Sequence, residues 1–436
     1  MNYRKFLDTF RKFHNVQKFF LPIFLRILRL GEFEIVGNIA GTFLSALSHY
    51  GTGFRILPFL KLEDKKRRWL ECYMDLLSES RRKKILVRFM YLRKLRNLRR
   101  KVRMKMDGSE NTSFPSCPLP GLILLSIGGD CNLSCRGCLS QWQKGGGMVE
   151  VERVDFVLKE IQSLDVPYVS IVGSGEPFLD SSYTGRLLDC LKRYKMIDFI
   201  IFTNGTTINN ETARQISMAT NIFLFVSIDG FKENHDARRG SGTFDRVMAS
   251  LRYLKNWEVP FGFSVTVNSL NWREVTSHGF IEEMVKTGAL VGLYIEFFSR
   301  EYSNLKLKLE ERCEYRSRIQ DLSESSPVVL IDLFSFEEKL YGCRAGKGKS
   351  CFIDASTGMV YPCVAFPFTG KDCNIYEGAS EGRLREILSG KFFTAYREAH
   401  NSCRNCVENV EGEMECYSNL PGIRFHNFED LIIINN

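Results

Sequence analysis

The sequence predicts an α/β chain centred on a partial (β/α)6 barrel, with a basic helical region before it and a small Cys-rich domain after it. Three observations predict this. Six short β-rich runs alternate with helical stretches between residues 122 and 298. Charge is divided, with 26 Lys/Arg against 9 Asp/Glu in residues 1–108 and 34 against 42 in the rest. Fourteen cysteines are present, and ten of them fall in two groups, 131–138 and 343–416.

The length of 436 residues suits two or three domains, and an apolar content of 44% excludes a disordered chain. Residues 1–115 form the first expected segment, a basic helical region. Its "RRKKILVRFMYLRKLRNLRRKVRMK" (81–105) contains no acid, and Leu92, Leu95, Leu98 and Val102 recur at helical spacing. Such a charged face packs on a neighbouring domain or lies on anionic lipid, and the Phe-rich stretches before it favour lipid over nucleic acid. Nucleic acid is not an expected partner, because no recognition motif accompanies the charge. No uninterrupted apolar run reaches membrane-spanning length and no cleavable leader is evident. The expected compartment is therefore cytoplasmic, with peripheral contact at the inner face of the membrane through residues 1–108.

"NTSFPSCPLPG" (111–121) reads as a linker, and the barrel is expected over 116–305. Its strands are "LILLSIGG" (122–129), "YVSIVG" (168–173), "FIIFTNG" (199–205), "IFLFVSIDG" (222–230), "PFGFSVTVN" (260–268) and "LVGLYIEFF" (290–298). Buried parallel strands carry near-continuous apolar runs, as these do. The intervening "VERVDFVLKEIQSL" and "TFDRVMASLRYLKNW" carry helical patterns. Strands that alternate with helices make parallel βα units, and six make an open, TIM-like partial barrel. Residues 306–340 are expected to be a linker or helical connection, 341–420 a Cys-rich domain and 421–436 a tail.

Chemistry in such barrels sits on loops after the C-terminal ends of strands. The unusual residues fall there. "GDCNLSCRGC" follows the first strand, "GSGEP" (173–177) the second, and "TNG", "SIDG" and "TVN" end the next three. Cys131, Cys135 and Cys138 place three thiolates in one loop. Three thiolates hold three corners of a [4Fe–4S] cube and leave the fourth iron open. A structural zinc knuckle wants four ligands, usually as Cys-x2-Cys pairs, and these three fit it poorly.

With the Cys-x3-Cys-x2-Cys loop after the first strand and "SGEP" (174–177) after the second, the sequence resembles the radical SAM superfamily. The resemblance implies an enzyme in which S-adenosylmethionine chelates the open iron and is cleaved reductively to methionine and a 5′-deoxyadenosyl radical. It implies that Glu176 accepts from the methionine amine and that Gly175 permits close backbone approach. It makes Asn204 and Ser227 candidates for ribose contacts, and Arg238 or Arg239 a partner for the methionine carboxylate. The family usually has an aromatic residue before the third cysteine. Gly137 stands there in this chain.

The second group, Cys343, Cys351, Cys363, Cys373, Cys403, Cys406 and Cys416, resembles a SPASM or twitch domain, an auxiliary iron–sulfur module of radical SAM enzymes. The matching pieces are Cys343, Gly358 with Cys363, and the Cys403-x2-Cys406 pair. The resemblance implies a small C-terminal Cys-rich iron–sulfur domain with one auxiliary [4Fe–4S] cluster. Its ligands are Cys343, Cys351, Cys363 and Cys416 by one analogy, or Cys343, Cys363, Cys403 and Cys406 by the other. Cys72, Cys117, Cys190 and Cys313 stand alone and read as core cysteines. Expected partners are S-adenosylmethionine, a flavodoxin- or ferredoxin-like electron donor, and a peptide, protein or lipid-like substrate that loses hydrogen. The alternative is a non-catalytic iron–sulfur or zinc-binding scaffold.

Overall fold

In the computed structural model, residues 119–138, 146–173, 175–297, 302–326, 328–334, 343–364, 368–378, 382–400 and 431–433 are described. The basic region 1–115, the isolated Cys72 and Cys117, Ser174 of "SGEP", and Cys403, Cys406 and Cys416 lie outside the described residues.

The six expected strands form in order. They are β1 (Leu122–Ser126), β2 (Tyr168–Ile171), β3 (Asp198–Thr203), β4 (Ile222–Ser227), β5 (Phe261–Val267) and β6 (Val291–Glu296). Each pairs parallel with the next. The helices between them are α1 (Val151–Ser163), α2 (Ser181–Arg193), α3 (Asn210–Ser217), α4 (Lys232–Arg239), α5 (Thr243–Asn256), α6 (Trp272–Val275) and α7 (His278–Thr287).

Local chemistry sets their ends. The Asp180 carboxylate accepts the Tyr183 N–H at 2.6 Å and starts α2, and the Asn209 side chain accepts the Thr212 N–H at 2.9 Å and starts α3. On α1, Val151, Val154, Val157, Leu158 and Ile161 are all buried, an apolar stripe at helical spacing that packs onto the sheet.

The sheet extends beyond six strands. After β6 come α8 (Leu309–Ser325) and β7 (Val329–Asp332), and β7 adds parallel to β6. The described part of the expected 306–340 connection thus holds another helix–strand unit. On the opposite side, β8 (Ser350–Asp354) adds parallel to β1, and β9 (Val360–Tyr361) turns back antiparallel on β8. The order is β7-β6-β5-β4-β3-β2-β1-β8-β9. The Cys-rich segment therefore shares the barrel sheet, because β8 covers the backbone hydrogen-bonding edge that β1 would otherwise leave open. The β8–β9 turn needs Gly358, whose φ is +79° and whose Cβ would lie 2.3 Å from the Tyr376 ring.

Beyond the hairpin, β10 (Phe368–Gly370) pairs antiparallel with β11 (Leu431–Ile433), and α9 (Arg383–Ser389) and α10 (Lys391–His400) lie between them in sequence. One hydrophobic core runs from Ile123 and Val154 to Phe352, Ile387 and Tyr396, so barrel and C-terminal segment are packed together. No helix among the described residues is long and apolar enough to cross a membrane.

Candidate active site

The loop after β1 carries Cys131, Cys135 and Cys138, each partly exposed. It is tied down from two sides. The Arg136 N–H donates to the Arg238 carbonyl at 2.9 Å, which fastens it to the end of α4. The Glu176 N–H donates to the Asp130 carbonyl at 2.8 Å, which fastens it to the loop after β2. Gly175 makes the second contact possible, since a Cβ there would lie 2.5 Å from the Gly128 oxygen. The close approach expected of Gly175 is thus, in this fold, an approach to the neighbouring protein loop.

Glu176 is buried, and its carboxylate joins two strand ends. Oε1 accepts from Phe178 N at 3.1 Å and from Thr203 Oγ1 at 2.6 Å, and Oε2 accepts from Asn204 N at 2.7 Å. Burial pushes its carboxyl above the ordinary value, while these three donors and the more distant Arg239 pull it back. Three of its roughly four acceptor positions are filled from within the chain. The methionine amine expected there would meet what remains.

Asn204 follows β3 beside the cysteine loop. Its Nδ2 lies 3.7 Å from Cys131 Sγ and donates to Asn132 Oδ1 at 2.9 Å. Burial is the main reason that the Cys131 thiol is raised above its ordinary value.

Ser227 and Ser264 face each other on β4 and β5 with their hydroxyls 3.3 Å apart. Arg238 and Arg239 both turn to Asp229, at 2.7 and 2.6 Å from the same carboxylate oxygen. Asp229 is fully buried, and burial opposes its charge. The two guanidiniums overcome this and hold its carboxyl well below the usual carboxylate range. Asp229 also accepts the Thr266 N–H at 2.8 Å, so it pins α4 to β5. The Arg239 charge is opposed by burial and favoured by Asp229, and it lies near Cys135 and Cys138. The arginines expected to meet a ligand carboxylate are therefore already engaged with one from the protein.

The sequence reading missed Asp229, although "SIDG" marked that loop. It also left open what replaces an aromatic residue at position 137. Gly137 has φ +64°, and a Cβ there would lie 2.4 Å from the ring of Phe297, a buried residue just after β6. Phe297 thus fills that space from the opposite end of the barrel sheet.

The four described C-terminal cysteines differ. Cys343, Cys351 and Cys373 are buried, and Cys363 is partly exposed. Burial alone pushes the Cys351 thiol up to about 12, and burial chiefly does the same for Cys373. Cys351 stands on β8 opposite Ile123 of β1, within the apolar core. Among the described residues no three His, Cys, Asp or Glu side chains gather around a point as for a single metal ion. The cysteines of a cubane each take a different iron and need no such convergence. Three partly exposed thiols on one loop fit a cluster that must also meet a second molecule.

Comparison with known proteins agrees with this arrangement. Residues 125–302 match the model of the Radical SAM superfamily. The AdoMet-dependent heme synthase of Methanosarcina barkeri (strain Fusaro / DSM 804) is 26% identical over 328 residues, covering 65% of this chain and 91% of that protein. The cysteine-type anaerobic sulfatase-maturating enzyme of Clostridium novyi (strain NT) is 24% identical over 170 residues, 35% of this chain and 45% of that one. The solved structure of native anSMEcpe with bound AdoMet and Cp18Cys peptide superposes with a TM-score of 0.52 at 20% identity, covering 70% of this chain and 96% of that one. Members of the superfamily are enzymes that bind a [4Fe–4S] cluster and S-adenosylmethionine.

Proposed function

Since residues 125–302 are a radical SAM domain, we propose that this chain cleaves S-adenosylmethionine reductively and uses the radical to abstract hydrogen from a peptide or protein substrate. The observation that carries the reading is the loop of three partly exposed thiols at the C-terminal mouth of the barrel, held from two sides by Glu176 and Arg238 backbone contacts. When bound, a [4Fe–4S] cluster supplies the electron that splits S-adenosylmethionine into methionine and the hydrogen-abstracting 5′-deoxyadenosyl radical.

The residues contribute position and field. Cys131, Cys135 and Cys138 would hold the cluster. Gly175 and Glu176 bring the β2 and β3 loops against the cysteine loop, and Glu176 keeps one acceptor position for an amine. Arg239, fixed by Asp229, keeps positive charge beside the thiols, where an anionic group of the cofactor would meet it. Ser227 is a hydroxyl donor at the mouth of β4. Phe297 offers an aromatic surface where position 137 has none.

For an auxiliary cluster, the apolar setting of Cys351 favours Cys343, Cys363, Cys403 and Cys406 as ligands over the set that includes Cys351 and Cys416. A flavodoxin- or ferredoxin-like protein would supply electrons.

A peptide substrate is supported by the maturase relative and by the peptide bound to anSMEcpe. A heme-type tetrapyrrole is the second reading, because the heme synthase relative aligns over 91% of its own length. A lipid-like substrate and inner-membrane contact would rest on residues 1–108, and sedimentation with anionic vesicles tests them.

The deciding experiment is anaerobic. Reconstituted protein meets S-adenosylmethionine and dithionite, and 5′-deoxyadenosine is measured by mass spectrometry beside Cys135→Ala. Product from the wild type alone is expected. No product from an iron-loaded wild type would turn the reading to a non-catalytic scaffold.

A further inference from the structure

We propose that Asn204 donates an N–H···S hydrogen bond to Cys131 and thereby raises the reduction potential of the cluster held at that loop. This rests on the proposed function for the presence of the cluster, and goes beyond it in giving Asn204 a positioning and tuning role in place of a ribose contact.

The geometry fixes which end of the amide faces the sulfur. Asn204 Oδ1 accepts from Thr206 N at 2.9 Å and from Thr206 Oγ1 at 2.7 Å. An amide nitrogen in that place would put donor against donor, so the flip is not available. The NH2 group therefore faces the cysteine loop, with one N–H on Asn132 Oδ1 at 2.9 Å and Cys131 Sγ 3.7 Å away for the other. Asn132 is oriented in turn, since its own Nδ2 donates to Thr206 Oγ1 at 2.8 Å. The backbone of Asn204 is held by Glu176 at 2.7 Å. Side chain and main chain are both anchored, and the residue is 8% exposed. Nothing in this arrangement needs to move for the amide to stay on the sulfur.

Reduction adds one electron to a cluster and makes its thiolate sulfurs more electron-rich. A donor aimed at one of them stabilises the reduced state more than the oxidised state. Hydrogen bonds to sulfur are among the features that set cluster potentials, and groups beyond the ligands tune a metal site in the same way.

The test is an EPR-monitored redox titration of the reconstituted cluster without S-adenosylmethionine, on wild type and Asn204→Leu, with iron and sulfide measured on both. The leucine keeps the branching and the number of side-chain heavy atoms and removes the donor. Iron content should match the wild type, and the equilibrium constant for reduction should fall by about tenfold, which is about 59 mV for a one-electron couple. An unchanged midpoint at full iron content overturns the proposal and leaves the radical SAM reading standing. A wild type that takes up no iron at this loop overturns both. Should the leucine variant not hold iron, the wild type itself decides. Protein carrying asparagine labelled with 15N at the side-chain amide should show a 15N hyperfine coupling to the reduced cluster, and its absence refutes the bond.

Discussion

Glu160 of α1 accepts the backbone N–H of Leu384 at 3.0 Å across 224 residues of chain, and its other oxygen takes the Gly382 N–H at 3.1 Å. A buried carboxylate of the barrel thus fastens the first turn of α9, in the C-terminal segment. Glu160→Ala leaves two amides without this partner, which costs about 1–3 kcal/mol for each group that stays dry. Faster hydrogen exchange over residues 382–388 is expected in the alanine variant, with Glu160→Gln in between because one acceptor oxygen survives. Equal exchange in all three would show that the contact carries no local stability.

The His235 imidazole is buried beside Arg239. Burial first and the Arg239 charge second push it down to about 4, against the opposing pull of Asp229 and Asp236. Between about 4 and the ordinary 6.5, the unfolded chain binds a proton that the folded chain excludes. Stability from this group is full above about pH 6.5 and falls as pH drops toward 4, by up to about 3 kcal/mol. Urea midpoints measured across that window should decline in the wild type, and less steeply in His235→Phe. Parallel curves would assign the decline to other groups.

Six strands of this fold are legible because buried parallel strands announce themselves as apolar runs, and "IFLFVS" of β4 is a clear case. The two flanking strands are not. "VLID" and "SCFID" are four and five residues long, and nothing local says that one joins β6 and the other β1. That choice belongs to tertiary packing, such as Cys351 of β8 set against Ile123 of β1.

The site divides in the same way. The three cysteines and "SGEP" are visible because each lies within a few residues of sequence. Asp229 meets Arg238 and Arg239 only after α4 folds back on the end of β4, and Phe297 reaches Gly137 only when the sheet curves. Chemistry made by one loop can be read from the chain. Chemistry made between loops needs the fold.

Gly137 is a steric requirement as well as a departure from the family pattern. A side chain there takes a left-handed backbone and meets the Phe297 ring at 2.4 Å. Gly137→Ala should lower stability by about 1–3 kcal/mol and reduce iron uptake, because the cysteine loop must shift. Phe297→Leu in the same chain should return part of the loss by making room. Thermal unfolding and iron content of the single and double variants check this, and strict additivity would mean that ring and glycine are uncoupled.

The C-terminal cysteines are separable by iron counting. Cys351 lies in apolar core between β8 and β1, with its thiol held neutral by burial alone, which suits packing and not ligation. Cys363 is partly exposed just after β9, where the Gly358 turn delivers it. A thiolate ligand must shed its proton, and a site with no charged or polar neighbour makes that costly. Cys363→Ala should therefore lose about four irons per chain, the content of one auxiliary [4Fe–4S] cluster. Cys351→Ala should keep full iron and lose about 1 kcal/mol of stability to the small cavity left behind. Iron and sulfide analysis of the two variants beside the wild type decides between the ligand sets. An iron deficit in Cys351→Ala would reverse the assignment and place the auxiliary cluster inside what is now apolar core.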